Sequence, residues 1–332
     1  MRRFIGLNTI LLSASPSLAW ADSGGATPDT WQRAWSFDPL VVLILSLLAW
    51  LYARGLARLW TKVGVSNKVR IWQAVSFLGA LAALFIALLS PLDALSGELS
   101  SLHMVQHMLL TTVAAPLLIL ASPTFVLAWG LPEWKRGWGS SLFRFAFRLP
   151  QEPLLWQPLL VWLLFAAVLW GWHHPRLYQA ALRDPLLHDA QHLSFFIAAC
   201  LFWRVCLDPF SRLRLCPAIA ILYLFTTSLH ASALGVFLTF SPQAWYEDYA
   251  ARVGAWGLTQ LQDQQLAGLI MWLPSCLIYP AIGAILFGSW LTGTDEGKRQ
   301  KKRSKAASVD SNGTAIHGLS IESLRPTAAM SK

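Results

Sequence analysis

The chain reads as an all-α, polytopic membrane protein in which an N-terminal signal peptide precedes seven transmembrane helices. Three observations carry this reading. Hydrophobic residues make up 55% of the 332 residues and charged residues only 13%. Apolar runs of spanning length recur through most of the chain, and the basic residues gather in alternate short connections. The net charge of +9 would suggest nucleic acid in a soluble protein. Here it falls in loops and a tail, as cytoplasmic connections require, so the expected surroundings are membrane lipid and no nucleic acid.

Residues 1–21, MRRFIGLNTILLSASPSLAWA, combine two arginines, a short apolar stretch and a small-x-small site at Ala19 and Ala21, the pattern of a secretory signal. Residues 22–37 then form an external segment. The transmembrane domain, 38–291, contains spans near 38–58, 69–90, 101–121, 155–173, 186–206, 217–240 and 265–291. Residues 292–332 open with the basic run KRQKKRSK (Lys298 to Lys305) and continue in Ser, Ala, Thr and Asn, a composition that predicts a disordered cytoplasmic tail.

The connections fix the direction. Arg54, Arg58, Lys62, Lys68 and Arg70 follow span one; Lys135, Arg136, Arg144 and Arg148 follow span three; Arg204, Arg212 and Arg214 follow span five. The alternate connections carry Asp93 and Glu98, then Arg176, Arg183 and Asp184, then Glu247, Asp248, Arg252 and Asp263. Positive-inside counting puts the first set in the cytoplasm and the second outside. The tryptophans, including Trp31, Trp35, Trp60, Trp129 and Trp172, cluster toward span ends as an interfacial belt.

Two histidine pairs stand out against this background: His103 and His107 in HMVQH, and His188 and His192 in HDAQH. Side chains four residues apart share a helix face, so each pair offers two imidazoles in one direction. Spans three and five both run inward, which puts these histidines in their first turns on the external side. His173 and His174 close span four at the same surface, and His230 lies roughly 15 Å from the outer end of span six by helical rise. Ionisable groups within membrane segments are costly and mark functional sites. All seven membrane-region histidines therefore predict one shared polar site facing outward.

The last span adds DQQLAGLIMW, with Asp263 at its mouth and Met271 about 12 Å deeper. Imidazole nitrogen with a thioether fits copper best, because thioether is soft and selects the cuprous ion. Gln106 and Gln191 each precede the inner histidine of a pair, and Asp263 is placed to accept from a ring N–H and set its tautomer. Met104 and Met108 flank the first pair but point off its face, which predicts packing. Cys200, Cys206, Cys216 and Cys276 form no Cys-x-x-Cys, and no disulfide is expected. The chain has no Gly-rich phosphate loop, no Ser-centred nucleophile motif and no His-Glu-x-x-His, so metal binding or hand-over is expected rather than enzymatic turnover.

HMVQHMLL (His103 to Leu110), APLLILASP (Ala115 to Pro123), WHHPRLYQAALRDPLLHDAQH (Trp172 to His192), Phe202-Trp203 and DQQLAGLIMW (Asp263 to Trp272) occur in this order. With these motifs the region from about 38 to 291 resembles the polytopic CtaG group of cytochrome c oxidase assembly proteins, distinct from the single-span copper chaperone that shares the name. The resemblance implies seven helices, the bacterial cytoplasmic (inner) membrane, and assembly of haem-copper oxidase at the copper-insertion stage, with oxidase subunits as partners. By position it implies His103, His107, His173, His188, His192 and His230, with Asp263 and Met271, as the metal residues. Two positions depart from the family pattern. His174 is an extra histidine, and Gln191 stands where many relatives carry an acid, which puts any scheme needing a charge there in doubt.

The expected function is therefore assembly of cytochrome c oxidase with copper held on the periplasmic side and the C-terminus in the cytoplasm. Two alternatives stand beside it. A haem b electron carrier could use imidazoles from different helices, but two on one helix face cannot both be axial ligands of one haem. A metal-free assembly scaffold needs no ligand at all.

Overall fold

The computed structural model describes residues 26–63, 71–131, 156–208, 211 and 214–319, with side chains to residue 62 in the first stretch and 292 in the last. The expected signal peptide, residues 1–21, lies outside the described residues, as do Lys68, Arg70, Lys135, Arg136, Arg144, Arg148 and Arg212. The described residues hold helices and short connections and no strand. In chain order the helices are α1 (Pro39–Val63), α2 (Ile71–Leu89), α3 (Pro91–Ser96), α4 (Ser100–Leu120), α5 (Pro123–Gly130), α6 (Gln157–His173), α7 (Pro175–Arg183), α8 (Pro185–Leu207), α9 (Pro217–Phe240) and α10 (Gln260–Leu319).

Six of them, α1, α2, α4, α8, α9 and α10, are long and apolar enough to cross a membrane, where seven are expected from the sequence. The difference lies at α6, which is apolar but 17 residues long. Its length corresponds to ~26 Å, slightly short of a hydrocarbon core of ~30 Å. Proline sets its end: His174 is extended, as a residue before proline prefers to be, and Pro175 opens α7. α10 continues as helix to Leu319, beyond residue 291 where a disordered tail is expected. Lys298 to Ala307 consist mainly of Lys, Arg and Ala, all good helix formers.

α4 is the most buried of the spans and α1 the least. Leu40, Leu43, Ile44, Leu47 and Trp50 of α1 stay exposed, which an apolar solvent permits and water would not. α9 and α10 approach closely because Gly235 and Gly268 face one another; a β-carbon on Gly235 would lie 2.9 Å from the Gly268 carbonyl oxygen. Within α4 a π-helical turn, Leu109–Ala114, leads into Pro116. Proline offers no N–H to the turn before it, and the Thr111 carbonyl accepts instead from the Trp203 indole at 2.8 Å.

The two helices that carry the histidine pairs start on carboxylates. Asp263 of α10 accepts from the Ser100 and Ser101 amides at 2.6 and 3.1 Å and from their hydroxyls at 2.7 and 2.5 Å, capping α4 from another span. Asp184 caps α8 from the position just before its first residue, accepting from Leu186 N–H at 2.8 Å. Both charges sit where the helix dipole is positive and the first amides lack partners. Beside them Gln106 ties α4 to its neighbours, donating to the Ala87 carbonyl at 2.7 Å and to Asp93 of α3 at 2.9 Å. Burial pushes the Asp93 carboxyl up to about 6 despite hydrogen bonds from Gln106 and Ser36.

Asp263→Asn is expected to lower the thermal stability of the detergent-solubilised protein by about 2–3 kcal/mol, since charge-assisted bonds to two buried amides are lost; Ser101→Ala should cost roughly half as much. Asp93 acts in the opposite sense. Its folded-state value lies above the unfolded one, so its contribution is complete below about pH 4 and is lost as pH rises through about 6. Asp93→Asn is expected to flatten that slope in melting curves recorded between pH 4 and 7, and to leave the protein at least as stable as wild type at pH 7.

Candidate metal centre

The N-terminal ends of α4, α8 and α10 and the C-terminal end of α6 meet at one end of the bundle. There the helix-spaced pairs face each other. His103 lies 4.3 Å from His107, 5.4 Å from His188 and 5.6 Å from His192 between ring centroids, and His188 and His192 are 4.2 Å apart. His107 reaches across to His192 at 5.2 Å and to His173 at 6.3 Å. His103, His188 and His192 can each present a ring nitrogen such that all three lie within 4.8 Å of one another.

Hydrogen bonding does not account for these rings. Both ring nitrogens of His107 and Nε2 of His192 are buried with no hydrogen-bond partner, and those of His103 make no well-formed bond, with the Ser96 backbone and the Gln191 side chain nearby. A buried polar atom left without a partner costs free energy of order 1–3 kcal/mol, and native proteins rarely tolerate several side by side. A metal ion coordinated through those lone pairs would satisfy them, so the donor set fits a metal. His188 is half-buried, whereas His103 and His192 are enclosed.

His173 is held differently. Its Nδ1 lies 2.7 Å from the Leu169 carbonyl oxygen, which can only accept, so Nδ1 carries the proton and Nε2 keeps its lone pair. That Nε2 is 3.5 Å from the Met104 sulfur. A ring whose second nitrogen donates to a carbonyl is in the arrangement typical of metal-binding histidines.

Aromatic residues close the site. Tyr178 of α7 lies 5.1 Å from His103 and stacks on Tyr246 at 3.8 Å, and the Tyr246 hydroxyl donates to the His173 carbonyl at 3.1 Å. Tyr249 donates to the Ser96 carbonyl at 2.9 Å and lies 3.3 Å from the Tyr178 hydroxyl. Burial pushes all three hydroxyls above the usual phenol range, so they remain neutral at physiological pH. The connection carrying Tyr246 and Tyr249 is fastened outside by Arg183, which grips Asp248 through two bonds of 2.7 Å.

Of the residues expected from the sequence, the structure brings His103, His107, His188, His192 and His173 into one cluster. Met271 is fully buried and lines a small cavity with His107 and His173. Asp263 meets the serines that open α4 rather than a ring nitrogen. His230 packs edge-on against Trp162 at 5.1 Å, and no ring contact joins it to the other histidines among the described residues. His174 is exposed at the start of α7, its Nδ1 accepting from the Arg176 amide at 3.4 Å. Gln106 turns away to α2 and α3, whereas Gln191 is fully buried beside His103. Sequence reasoning missed Tyr178 and assigned Met104 to packing. Met104 does point off the face shared by His103 and His107, but α6 supplies an imidazole on the side to which it points.

The family model for cytochrome c oxidase caa3 assembly factor (Caa3_CtaG) matches residues 50–293, which contain every histidine of the cluster. Two curated relatives are 25% identical over 261 residues: uncharacterized protein Mb0105 of Mycobacterium bovis and uncharacterized protein MT0111 of Mycobacterium tuberculosis. The match takes in 75% of this chain and 38% of each relative, so the chain spans well under half their length. No solved structure matches. The extent of the family match, about three quarters of the chain, makes this protein a member of the Caa3_CtaG family of cytochrome c oxidase caa3 assembly factors.

Proposed function

We infer that this protein takes part in assembling haem-copper cytochrome c oxidase by binding copper as cargo at the histidine cluster and passing it to an oxidase subunit docked alongside in the membrane. The observation that carries the reading is the meeting of His103, His188 and His192 within 4.8 Å, surrounded by buried imidazole nitrogens without hydrogen-bond partners. Three imidazoles suit cuprous, cupric and zinc ions alike, and the family assignment favours copper. His107 and His173 stand next to the triad, and Met271 lies deeper beside them. Asp263 contributes indirectly: its charge offsets the positive end of the α4 dipole, which would otherwise repel a cation.

α6 counts as the seventh span in this reading, since its C-terminal His173 reaches the same end of the bundle as the N-termini of α4 and α8. Loop charges then orient the cluster toward the periplasm of a bacterial inner membrane and the C-terminus toward the cytoplasm. Binding and release, with no bond made or broken in a substrate, is the whole of the chemistry. A haem b carrier is less well supported. Imidazole centroids only 4.2 to 6.3 Å apart leave no slot for a porphyrin, and Phe195 packs on His107 at 4.5 Å.

Elemental and optical analysis of the purified full-length protein tests this directly: copper should accompany the protein with no Soret band, and a His188→Ala/His192→Ala variant should lose most of it. Unchanged copper content in that variant would end the proposal. In cells grown at limiting copper, the same variant should lower assembled oxidase by about tenfold, the scale of losing metal-site groups, with partial recovery when copper is added. Full oxidase at limiting copper would favour a metal-free scaffold.

A further inference from the structure

We propose that the protein holds a second, deeper metal site, selective for the cuprous ion, built from His107, His173, Met104 and Met271 and separate from the outer triad of His103, His188 and His192. It rests on the reading of copper as cargo. The supporting feature is an enclosed cavity of ≈ 10 Å³ whose walls include these four residues and Met108. That volume is about one water-sized sphere, enough for a bare ion and too small for a hydrated one.

The donor set follows by elimination around this cavity. Thr111, Ser275 and Tyr279 also line it; the Thr111 and Ser275 hydroxyls donate to the His107 and Met271 carbonyls of their own helices at 2.7 and 2.8 Å, and the Tyr279 phenol is a hard oxygen donor ill suited to a cuprous ion. His173 turns its lone-pair nitrogen, Nε2, toward the Met104 sulfur at 3.5 Å because Nδ1 is bound to Leu169. His107 is 2% exposed and neither of its nitrogens has a partner. Met104 and Met271 have no exposure at all. What remains is two imidazoles and two or three thioethers in an apolar enclosure, a soft and charge-free set that suits monovalent copper and discriminates against zinc and other harder divalent ions. The outer triad has no sulfur and no such preference.

His107 connects the two sites, since its ring neighbours both His192 and His173. A cuprous ion therefore passes inward by ligand exchange at one metal: an imidazole of the triad is released as a thioether binds. The oxidation state stays the same, and no electron or proton is required.

The test uses full-length protein in detergent, loaded anaerobically with cuprous ion alone or with zinc alone. X-ray absorption at the copper edge should show sulfur as well as nitrogen neighbours. Met104→Leu/Met271→Leu, close in volume and thus tolerated in a core, should lose the sulfur signal and weaken cuprous binding by at least about tenfold in competition with a chelator. Zinc bound by the outer triad should be unchanged in that variant. The converse His188→Ala/His192→Ala variant, purified with little copper, should lose zinc binding, and the smaller amount of cuprous ion it takes up on anaerobic loading should show a larger share of sulfur neighbours than in wild type. A selenomethionine-labelled wild type read at the selenium edge asks the same question without any substitution, through a copper neighbour to selenium. Copper held by nitrogen alone, with no copper near selenium, would overturn the inner site and leave the outer one standing. Sulfur ligation persisting in the double leucine variant would overturn the assignment to Met104 and Met271, and protein that binds no copper at any site would overturn both readings.

Discussion

The carboxylate of Asp263 fixes the relative height of two spans, and the rest of the site depends on that alignment. It reaches from α10 to the first two residues of α4, which sets Ser100 and Asp263 at one level. Counting inward from there, His103, Met104 and His107 descend on one helix as Met271 descends on the other. A sulfur and an imidazole from helices more than a hundred and fifty residues apart in sequence thus arrive at one cavity. The same bond satisfies amides that have no partner within their own helix, and it supplies negative charge where a bound cation would meet the positive end of a dipole.

Around this alignment the protein tolerates an arrangement that packing alone would not choose. Imidazoles of His103, His107 and His192 are enclosed with lone pairs and N–H groups unanswered, while nearby polar groups are bound carefully: Gln106 to Ala87 and Asp93, Trp203 to Thr111, Tyr246 to His173. Buried nitrogens without partners gather most densely in the cluster, although His230, Trp162 and Trp256 also leave theirs unmatched outside it. Such concentration of unmet bonding capacity is the physical signature of a binding site, because apolar side chains of similar volume would make a more stable core.

Much of this was legible in the sequence. Four-residue spacing fixed which histidines share a face, and the motifs identified the family. What sequence could not supply was rotation about the helix axis and the identity of neighbours. His230 lies at a suitable depth along its span, yet its azimuth turns it to Trp162. Asp263 opens a polar turn, and a carboxylate in that place suits a ligand and a helix cap equally; the Ser100-Ser101 pair that decides for the cap lies on another span. Met104 reads as filler until α6 is known to stand behind it, and the His173 tautomer depends on a carbonyl four residues earlier in a helix that proline ends.

The half exposure of His188 has a consequence for how an ion changes its surroundings. His188 is the most exposed of the triad, with His103 and His192 more enclosed and His107 and His173 buried beside them. On the copper reading, an arriving cation would exchange its water molecules for nitrogens in succession, never being stripped bare in a single step. Each exchange is a small barrier in place of one large one. On that reading, the gradient of exposure along the cluster would make the protein a staircase for dehydration, and the residue at its foot would govern traffic in both directions.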